Sequence, residues 1–569
     1  MGYNYVLFLL IFISSTALAQ SFKQNDNNSD GVFYRYYDQI DIPKESLMDC
    51  QPFTGRLPYT TGRGNFSGSG FIYRFQTSEK GYELYKFQKT PLKQLGSYVK
   101  LLPEHVRHLT FTNIEFHAVG SGVVVFASLI NKQTNTVSHQ LIKLTADLKY
   151  VVSTELASFK IKNRQPSWVS VVKSKDSKTI GVLRKVTTKG EGPKFGKFII
   201  QFFDDELSEL NVDTLSLPYE KRERNIVSSG ETQSVTVFPY RFHSFKLGNV
   251  ENVAVLVGYN SGPDITYNKD LLDYQIYVKS VGNEYEKVQL AKKENEFFHD
   301  CSMEYDSNSS LVLAAFKSSE IEKNRYRYQN VFYQIDSDLS IKEASHVLSK
   351  KEILDLVKID SLVINKIEKY YQESSSSVKL TAKRDKIDPV ISPIKFDNDN
   401  NPHVIVSNQR TTCSSPTALN AAAIPIGGMQ LSISVSPSSQ SSVDCSTIYY
   451  GYMHLRLDET NDQMTVKSYN WTSAYSRMQI LHNGEILFLE NDIPFNYLFP
   501  EKRQKYSALY GNVLGLRGDG ETFLIKKNKK KKERIWLDES MQLDDGTVVV
   551  SKGVGKKKQW CNLDLSNLE

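Results

Sequence analysis

Beyond its first twenty residues this chain has no segment apolar enough to cross a membrane, since a spanning helix needs roughly 20 such residues. It has no CxxC pair, so neither a zinc ribbon nor a dithiol redox site is on offer. HExxH, GxSxG and P-loop signatures are missing too, which removes zincin, α/β-hydrolase and phosphate-loop chemistry as motif-borne readings. Five cysteines in 569 residues are too few for a disulfide framework. Charge of one sign is scarce as well. The formal net charge is +6, and residues 526–534, with seven cations and one acid, account for all of it. The remainder is balanced, so a general nucleic-acid-binding character is excluded.

Hydrophobic residues make up 40% of the chain, enough for a substantial core. Residues 6–13 are an unbroken apolar stretch, and Ala17-Leu18-Ala19 follows with the small-x-small pattern of a signal-peptidase site. This predicts a signal peptide over 1–19, an N-terminal segment over 20–48, a secreted or periplasmic protein, and no membrane span after cleavage. In an oxidising space Cys413 and Cys445, which flank a Ser-rich stretch at about 411–444, are expected to form a disulfide. Cys50 and Cys561 form a second candidate pair near the chain ends, leaving Cys301 over. Four sequons start at Asn27, Asn65, Asn308 and Asn470.

The strongest signal is internal repetition. "LIKLTADLKYV" from Leu141 and "FYQIDSDLSIK" from Phe332 share four strand-forming positions, a polar turn with Asp, a Leu and a second strand. "LYKFQKTPLKQL" from Leu84 and "IIQFFDDELSEL" from Ile199 repeat the shape, and segments from Tyr274 and Met453 follow it more loosely. "FLIKKNKKKKERI" from Phe523 is taken as a seventh copy. Alternating residues around a short polar turn are what a β-hairpin needs. His139 follows Tyr82 by 57 residues, Lys197 follows His139 by 58, and Val331 follows Tyr274 by 57. Another apolar strand precedes each copy, as in "GSGVVVFASL" from Gly120 and "SSLVLAAFK" from Ser309.

Several strands in about 57 residues, repeated, fit a β-propeller blade of four antiparallel strands. The chain thus resembles the β-propeller superfamily over about 49–565, with a kelch-like or sialidase-like rhythm. It lacks the paired glycines of kelch, the Trp-Asp of WD40 and the sialidase Asp-box. The expected fold is all-β, a propeller of seven blades, with six or eight as alternatives. One interruption has helical spacing. "SKKEILDLVKIDSLVINKIEKYYQE" opens with a Ser349–Glu352 capping box and predicts a helical insertion at about 349–373.

Candidate sites are few. Glu490 and Asp492 leave a strand and enter an aromatic loop with Phe495 and Tyr497, where carboxylates beside rings could serve a sugar. Lys529, Lys530, Lys531 and Lys532 are expected at a solvated hairpin tip, with polyanion binding as the alternative and Lys556, Lys557 and Lys558 as an extension once folded. His299, Asp300 and Cys301 are consecutive; strand neighbours point to opposite faces, so a structural role is expected. Asp397-Asn-Asp-Asn-Asn401 begins like a calcium loop, but Pro402 replaces the glycine an EF-hand needs, and a polar turn is expected. No metal or cofactor is expected. The leading expectation is a non-enzymatic binding or assembly module with a protein or glycan partner. The alternative is a carbohydrate-active hydrolase or lyase.

Overall fold

The apolar–polar alternation becomes strand along most of the chain described by this computed structural model, which covers the elements named below between Met48 and Leu563. Residues 1–47 and 564–569, the connections 54–62, 101–109, 161–168, 186–196, 261–271, 358–388, 414–444, 492–507 and 528–533, and several shorter joints lie outside the described residues. Strands pair antiparallel in sequence order, four to a sheet. Sheet one is Arg63–Gly68, Phe71–Ser78, Gly81–Gln88 and Lys93–Lys100. Sheet two is Thr110–Val119, Gly122–Asn131, Thr136–Leu144 and Tyr150–Lys160. Sheet three is Val169–Lys173, Thr179–Lys185, Lys197–Asp204 and Glu209–Ser216. Sheet four is Tyr240–Leu247, Val253–Asn260, Leu272–Lys279 and Tyr285–Gln289. Sheet five is Glu296–Tyr305, Leu311–Glu322, Arg325–Ile335 and Ile341–Val347. Sheet six is Pro389–Ile391, Pro402–Cys413, Cys445–Asp458 and Gln463–Ala474, with Lys395–Phe396 paired beside its second strand. Sheet seven is Arg477–His482, Glu485–Asn491, Ala508–Leu514 and Glu521–Lys527. Sheet eight is Arg534–Gln542, Val548–Val554 and Lys557–Leu563, and its fourth strand, Met48–Phe53, comes from the other end of the chain.

First strands touch first strands from sheet seven to eight, eight to one, and onward to six. The last strand of sheet six ends at Ala474 and the first of sheet seven begins at Arg477. The fold is a β-propeller. The period of 2 along a strand shows why the sheets stack. Val253, Val255 and Val257 pack with sheet three, while Ala254 and Leu256 pack with sheet five. Leu311, Leu313 and Ala315 likewise face sheet four, and Val312, Ala314 and Phe316 face sheet six. Sheets buried on both faces need such near-continuous apolar strands.

The Asp-and-Leu turn that carried the repeat has a physical cause. Leu148, Leu207 and Leu339 all sit at φ 64°, and each donates its N–H to the carbonyl of Thr145, Asp204 or Asp336, at 2.8, 3.1 and 2.9 Å. A left-handed leucine is strained by about 1–2 kcal/mol. Burial of Leu148 and Leu207 between sheets offsets it, since a buried leucine contributes about 1.5–3 kcal/mol.

One expectation needs correction, and the sheet count falls at one of the expected alternatives. The described residues form eight sheets of four or more strands. Counting third-to-fourth-strand hairpins undercounts by one, because the sheet completed by Met48–Phe53 has no such hairpin. The lysine-rich stretch is no hairpin tip. It leaves the fourth strand of sheet seven and enters the first strand of sheet eight; the true hairpin of sheet seven joins Ala508–Leu514 to Glu521–Lys527. Two insertions also lie between sheets. A paired hairpin, Arg222–Ser228 with Glu231–Val237, lies between sheets three and four, and a helix, Lys350–Val357, lies between five and six. The remainder of the expected helical insertion, 358–373, is outside the described residues.

Candidate functional site

Antiparallel order sorts the connections by end. First-to-second and third-to-fourth turns lie at one end of the ring. Second-to-third and fourth-to-first connections lie at the other.

Among the described residues the turn end is bonded to itself. Gly120 donates its N–H to Ser177 O at 2.7 Å, joining sheets two and three, and Lys175 N–H reaches Gly248 O at 3.2 Å, joining three and four. Ser307 donates its N–H and its hydroxyl to Asn400 Oδ1 at 3.0 and 2.6 Å, joining five and six. Lys395 Nζ donates to Gln542 Oε1 at 2.7 Å, from sheet six to sheet eight. Lys175 Nζ donates to Tyr305 O at 3.2 Å and stands 5.0 Å from the centre of the Phe396 ring. Burial pushes the Lys395 ammonium down to about 8 and also lowers Lys175.

At the same end Asp397 accepts N–H groups from Asp399 and Asn401 at 3.0 and 2.9 Å. Its other oxygen meets His403 Nε2 at 3.1 Å and Arg456 at 3.3 Å. This is a polar turn, as the sequence suggests. His403 Nδ1 lies 2.9 Å from His454 Nε2, both rings fully buried. Because His403 donates through Nε2 to the carboxylate, its Nδ1 accepts, and His454 Nε2 carries the proton. Burial lowers His403 from its ordinary range against the opposing pull of Asp397.

Every insertion opens at the other, connection end: the hairpin, the helix, the Ser-rich 414–444, the aromatic 492–507 and the lysine-rich 528–533. The helix is anchored there. Ser349 N–H donates to Glu352 Oε2 at 2.6 Å and Glu352 N–H to Ser349 Oγ at 3.3 Å, the predicted capping box. Asn408 Nδ2 donates to Leu356 O at 3.3 Å, and Ser468 Oγ to Asp355 Oδ2 at 2.7 Å. Gly451 has φ 61°, and a Cβ there would lie 2.5 Å from Leu356 O. Gly451→Ala is therefore expected to push the helix off sheet six and cost about 2–3 kcal/mol, combining backbone strain with a steric clash. Urea unfolding of the variant checks this; a change under about 0.5 kcal/mol, the size usual for ordinary surface positions, contradicts it.

Three first strands carry a bulge at matching positions, skipping Thr112, His243 and His299 in sheets two, four and five. The motif Phe-(Thr/His)-polar at Phe111, Phe242 and Phe298 was a signal in the sequence that went unused. The bulges set the consecutive trio. His299 Nε2 meets Ser318 Oγ at 2.8 Å beside the Phe316 and Tyr328 rings. Asp300 Oδ2 accepts the Ile391 N–H of sheet six at 2.8 Å, and its Oδ1 lies 3.9 Å from His243 Nε2. His243 Nε2 donates to Cys301 O at 2.9 Å. The Cys301 thiol is buried, and burial pushes it well above its usual range, the environment of a structural rather than an activated cysteine. The trio joins sheets four, five and six and does not converge on a ligand. Among the described residues no group of three or more His, Cys, Asp or Glu is placed to hold a metal ion, and no helix is long and apolar enough to cross a membrane.

Of the residues picked from the sequence, Glu490 lies near the end of its strand at the connection end, opposite Arg477 and Tyr510. Asp492, Phe495, Tyr497, Lys529, Lys530, Lys531 and Lys532 lie outside the described residues. Cys413 stands opposite Cys445, and Cys50 opposite Cys561, in strand register.

No known sequence family matches the chain, and no curated relative does. Among solved structures it is similar to the WD40 domain of SCAP from fission yeast, at 9% identity over 93% of this chain and 98% of that one, TM-score 0.39. It is similar to the polysaccharide lyase Uly1 at 10% identity over 79% and 88%, TM-score 0.33. It is also similar to the β-propeller domain of the Trilobed protease from Pyrococcus furiosus at 9% identity over 80% and 95%, TM-score 0.31. The fold assignment rests on the strand pairing described above.

Proposed function

We propose that the chain is an exported, non-enzymatic module that binds a protein or glycan through the connection end of its propeller. One observation carries this reading: the insertions between described strands all leave from strand ends at that end, while among the described residues turns at the opposite end bond to those of neighbouring sheets. Connections on a rigid scaffold are where binding residues concentrate. The apolar segment at 6–13 and Ala17-Leu18-Ala19 support export, to the periplasm or beyond. Two disulfides follow from export, Cys413–Cys445 at the root of the Ser-rich connection and Cys50–Cys561 across the strands that close the ring. Register partners have Cα atoms about 4.5–5.5 Å apart, within the roughly 4.4–6.8 Å a disulfide spans. Peptide mapping of unreduced protein is expected to recover both linked pairs with Cys301 free. Free thiols at Cys413 and Cys445 contradict the export reading.

The direct test is a glycan array probed with residues 20–569, alongside a panel of purified surface proteins, with a reducing-end assay on every glycan that scores. The expected result is binding without release of reducing ends. Deleting 414–444 is expected to weaken binding at least about tenfold, roughly 1.4 kcal/mol, whereas Ser307→Ala at the turn end leaves it unchanged. Release of reducing ends replaces this reading with a hydrolase or lyase, in which Glu490 and Asp492 supply acid/base chemistry and Phe495 and Tyr497 stack on the sugar.

A further inference from the structure

Strand register brings separate cations to one edge of the ring. Across the connection end of sheet eight, Arg534 stands opposite Gly553, Gly553 opposite Lys558, and Lys558 opposite Phe53. The next row runs Ile535, Lys552, Gln559 and Pro52. Lys557 stands opposite Val554 at the outermost position of the same end. Neither row contains an acid. Lys526 and Lys527 finish the fourth strand of the neighbouring sheet seven at this end too, opposite Leu509 and Ala508. The first strands of sheets seven and eight touch. Four cations from three separate stretches of sequence, Arg534, Lys552, Lys557 and Lys558, are thus assembled by pairing at one end of sheet eight, Arg534 and Lys558 at register positions of one face and Lys552 and Lys557 at positions of the other, while Lys526 and Lys527 end the neighbouring sheet at the same end of the ring.

We infer that this edge of sheets seven and eight is a binding site for a polyanionic glycan bearing sulfate or carboxylate groups, with Lys526, Lys527, Arg534, Lys552, Lys557 and Lys558 as its cations. The inference rests on the connection end being the binding end and names a ligand class for it. Strands are about 4.8 Å apart, so Arg534 and Lys558, two strands apart in one row, have backbones about 10 Å apart. That spacing suits anionic groups repeated along a polymer better than one isolated anion. Like charges at about 10 Å in water repel by only about 0.4 kcal/mol, so the edge folds at little cost and the repulsion is relieved when an anion binds. The sequence run 526–534 that adjoins this edge carries the whole formal net charge of +6. A glycan is favoured over a membrane by the exported, glycan-facing reading of this end.

The test uses residues 20–569 on immobilised heparin, on uncharged dextran and on vesicles of phosphatidylserine with phosphatidylcholine. Wild type is expected to bind heparin alone. Affinity is expected to fall about a hundredfold between 50 and 200 mM salt, the size that release of counterions from about four contacts produces. The variant R534Q/K552Q/K557Q/K558Q is expected to lose at least tenfold in heparin affinity while keeping the melting temperature of wild type. The salt series on wild type needs no variant, and K526Q/K527Q serves if the quadruple variant does not fold. Salt-independent binding, equal binding by folded variants, or retention on vesicles but not heparin each overturns the inference. If neutral glycans bind at the connection end and heparin does not, the inference fails and the proposed function stands. If the array and the protein panel show no ligand either, both fail.

Discussion

Between pH 7 and pH 4 the unfolding free energy is expected to fall by about 6 kcal/mol from two histidines alone, His117 and His139, at about 1.4 kcal/mol per pH unit of displacement for each. Burial, reinforced by Lys173, pushes His117 down to about 4. Burial, reinforced by Arg184, does the same to His139, whose Nδ1 lies 2.8 Å from Ser128 Oγ. The sign follows from which state takes the proton first. The unfolded chain protonates its histidines near 6.5, while the folded one holds these two neutral until about 4. The stability they supply is therefore complete above 6.5 and is lost as the pH falls through the window from 6.5 to 4. His403, also lowered by burial, acts in the same direction. Urea unfolding at pH 7, 5.5 and 4 checks this, and the stretch from 6.5 to 5 precedes most carboxylate titration. The double variant His117→Gln/His139→Gln is expected to show a much flatter profile. Parallel profiles for variant and wild type contradict the account.

Asp213→Ala is expected to cost about 3–5 kcal/mol, the range for removing one partner of a buried ion pair. Asp213 and Lys279 are 3% and 4% exposed and meet at 2.9 Å between sheets three and four. The carboxylate also accepts from Tyr285 OH at 3.1 Å and from Asn211 Nδ2 at 2.9 Å. Without it Lys279 keeps a buried charge, with the Phe202 ring 5.1 Å away. Replacing both ions, as D213L/K279M, is expected to recover most of the loss, since apolar side chains need no partner. Urea unfolding of the single and double variants measures both effects. A loss under about 1 kcal/mol for the single change, the size of an exposed pair, contradicts the burial argument.

Much of the fold was legible because the repeat is local. The turns at Leu148, Leu207 and Leu339 share one backbone conformation, and a conformation fixed by four or five residues leaves a mark in sequence. The Ser349–Glu352 capping box was legible for the same reason. What escaped notice is non-local. Only the candidate pair Cys50–Cys561 hints that Met48–Phe53 will complete a sheet begun at Arg534, and a count of hairpins takes no account of it. The lysine-rich stretch imitates a hairpin because apolar residues flank it on both sides. Only pairing shows that those flanks belong to different sheets. The buried pair of Asp213 and Lys279, 66 positions apart, was invisible because a charged residue in a strand reads as solvent-facing. The bulges at Thr112, His243 and His299 were visible as a recurring Phe-x-polar motif, but a bulge leaves the alternation on either side nearly intact. The candidate site was legible only as a set of irregular segments. That they share one end of the ring follows from strand parity, which needs the complete strand order.

Hydrogen–deuterium exchange of residues 20–569, with and without the glycan or protein that scores in the binding screen, tests the central claim most directly. Ligand-dependent protection is expected in strand ends that border the connection end, at Cys413 and Cys445, Glu490 and Asn491, Lys526 and Lys527, and Arg534. Amides at Lys175, Ser307 and Asn400 are expected to exchange at the same rate with and without ligand. Protection confined to the turn end would contradict the assignment of the binding face.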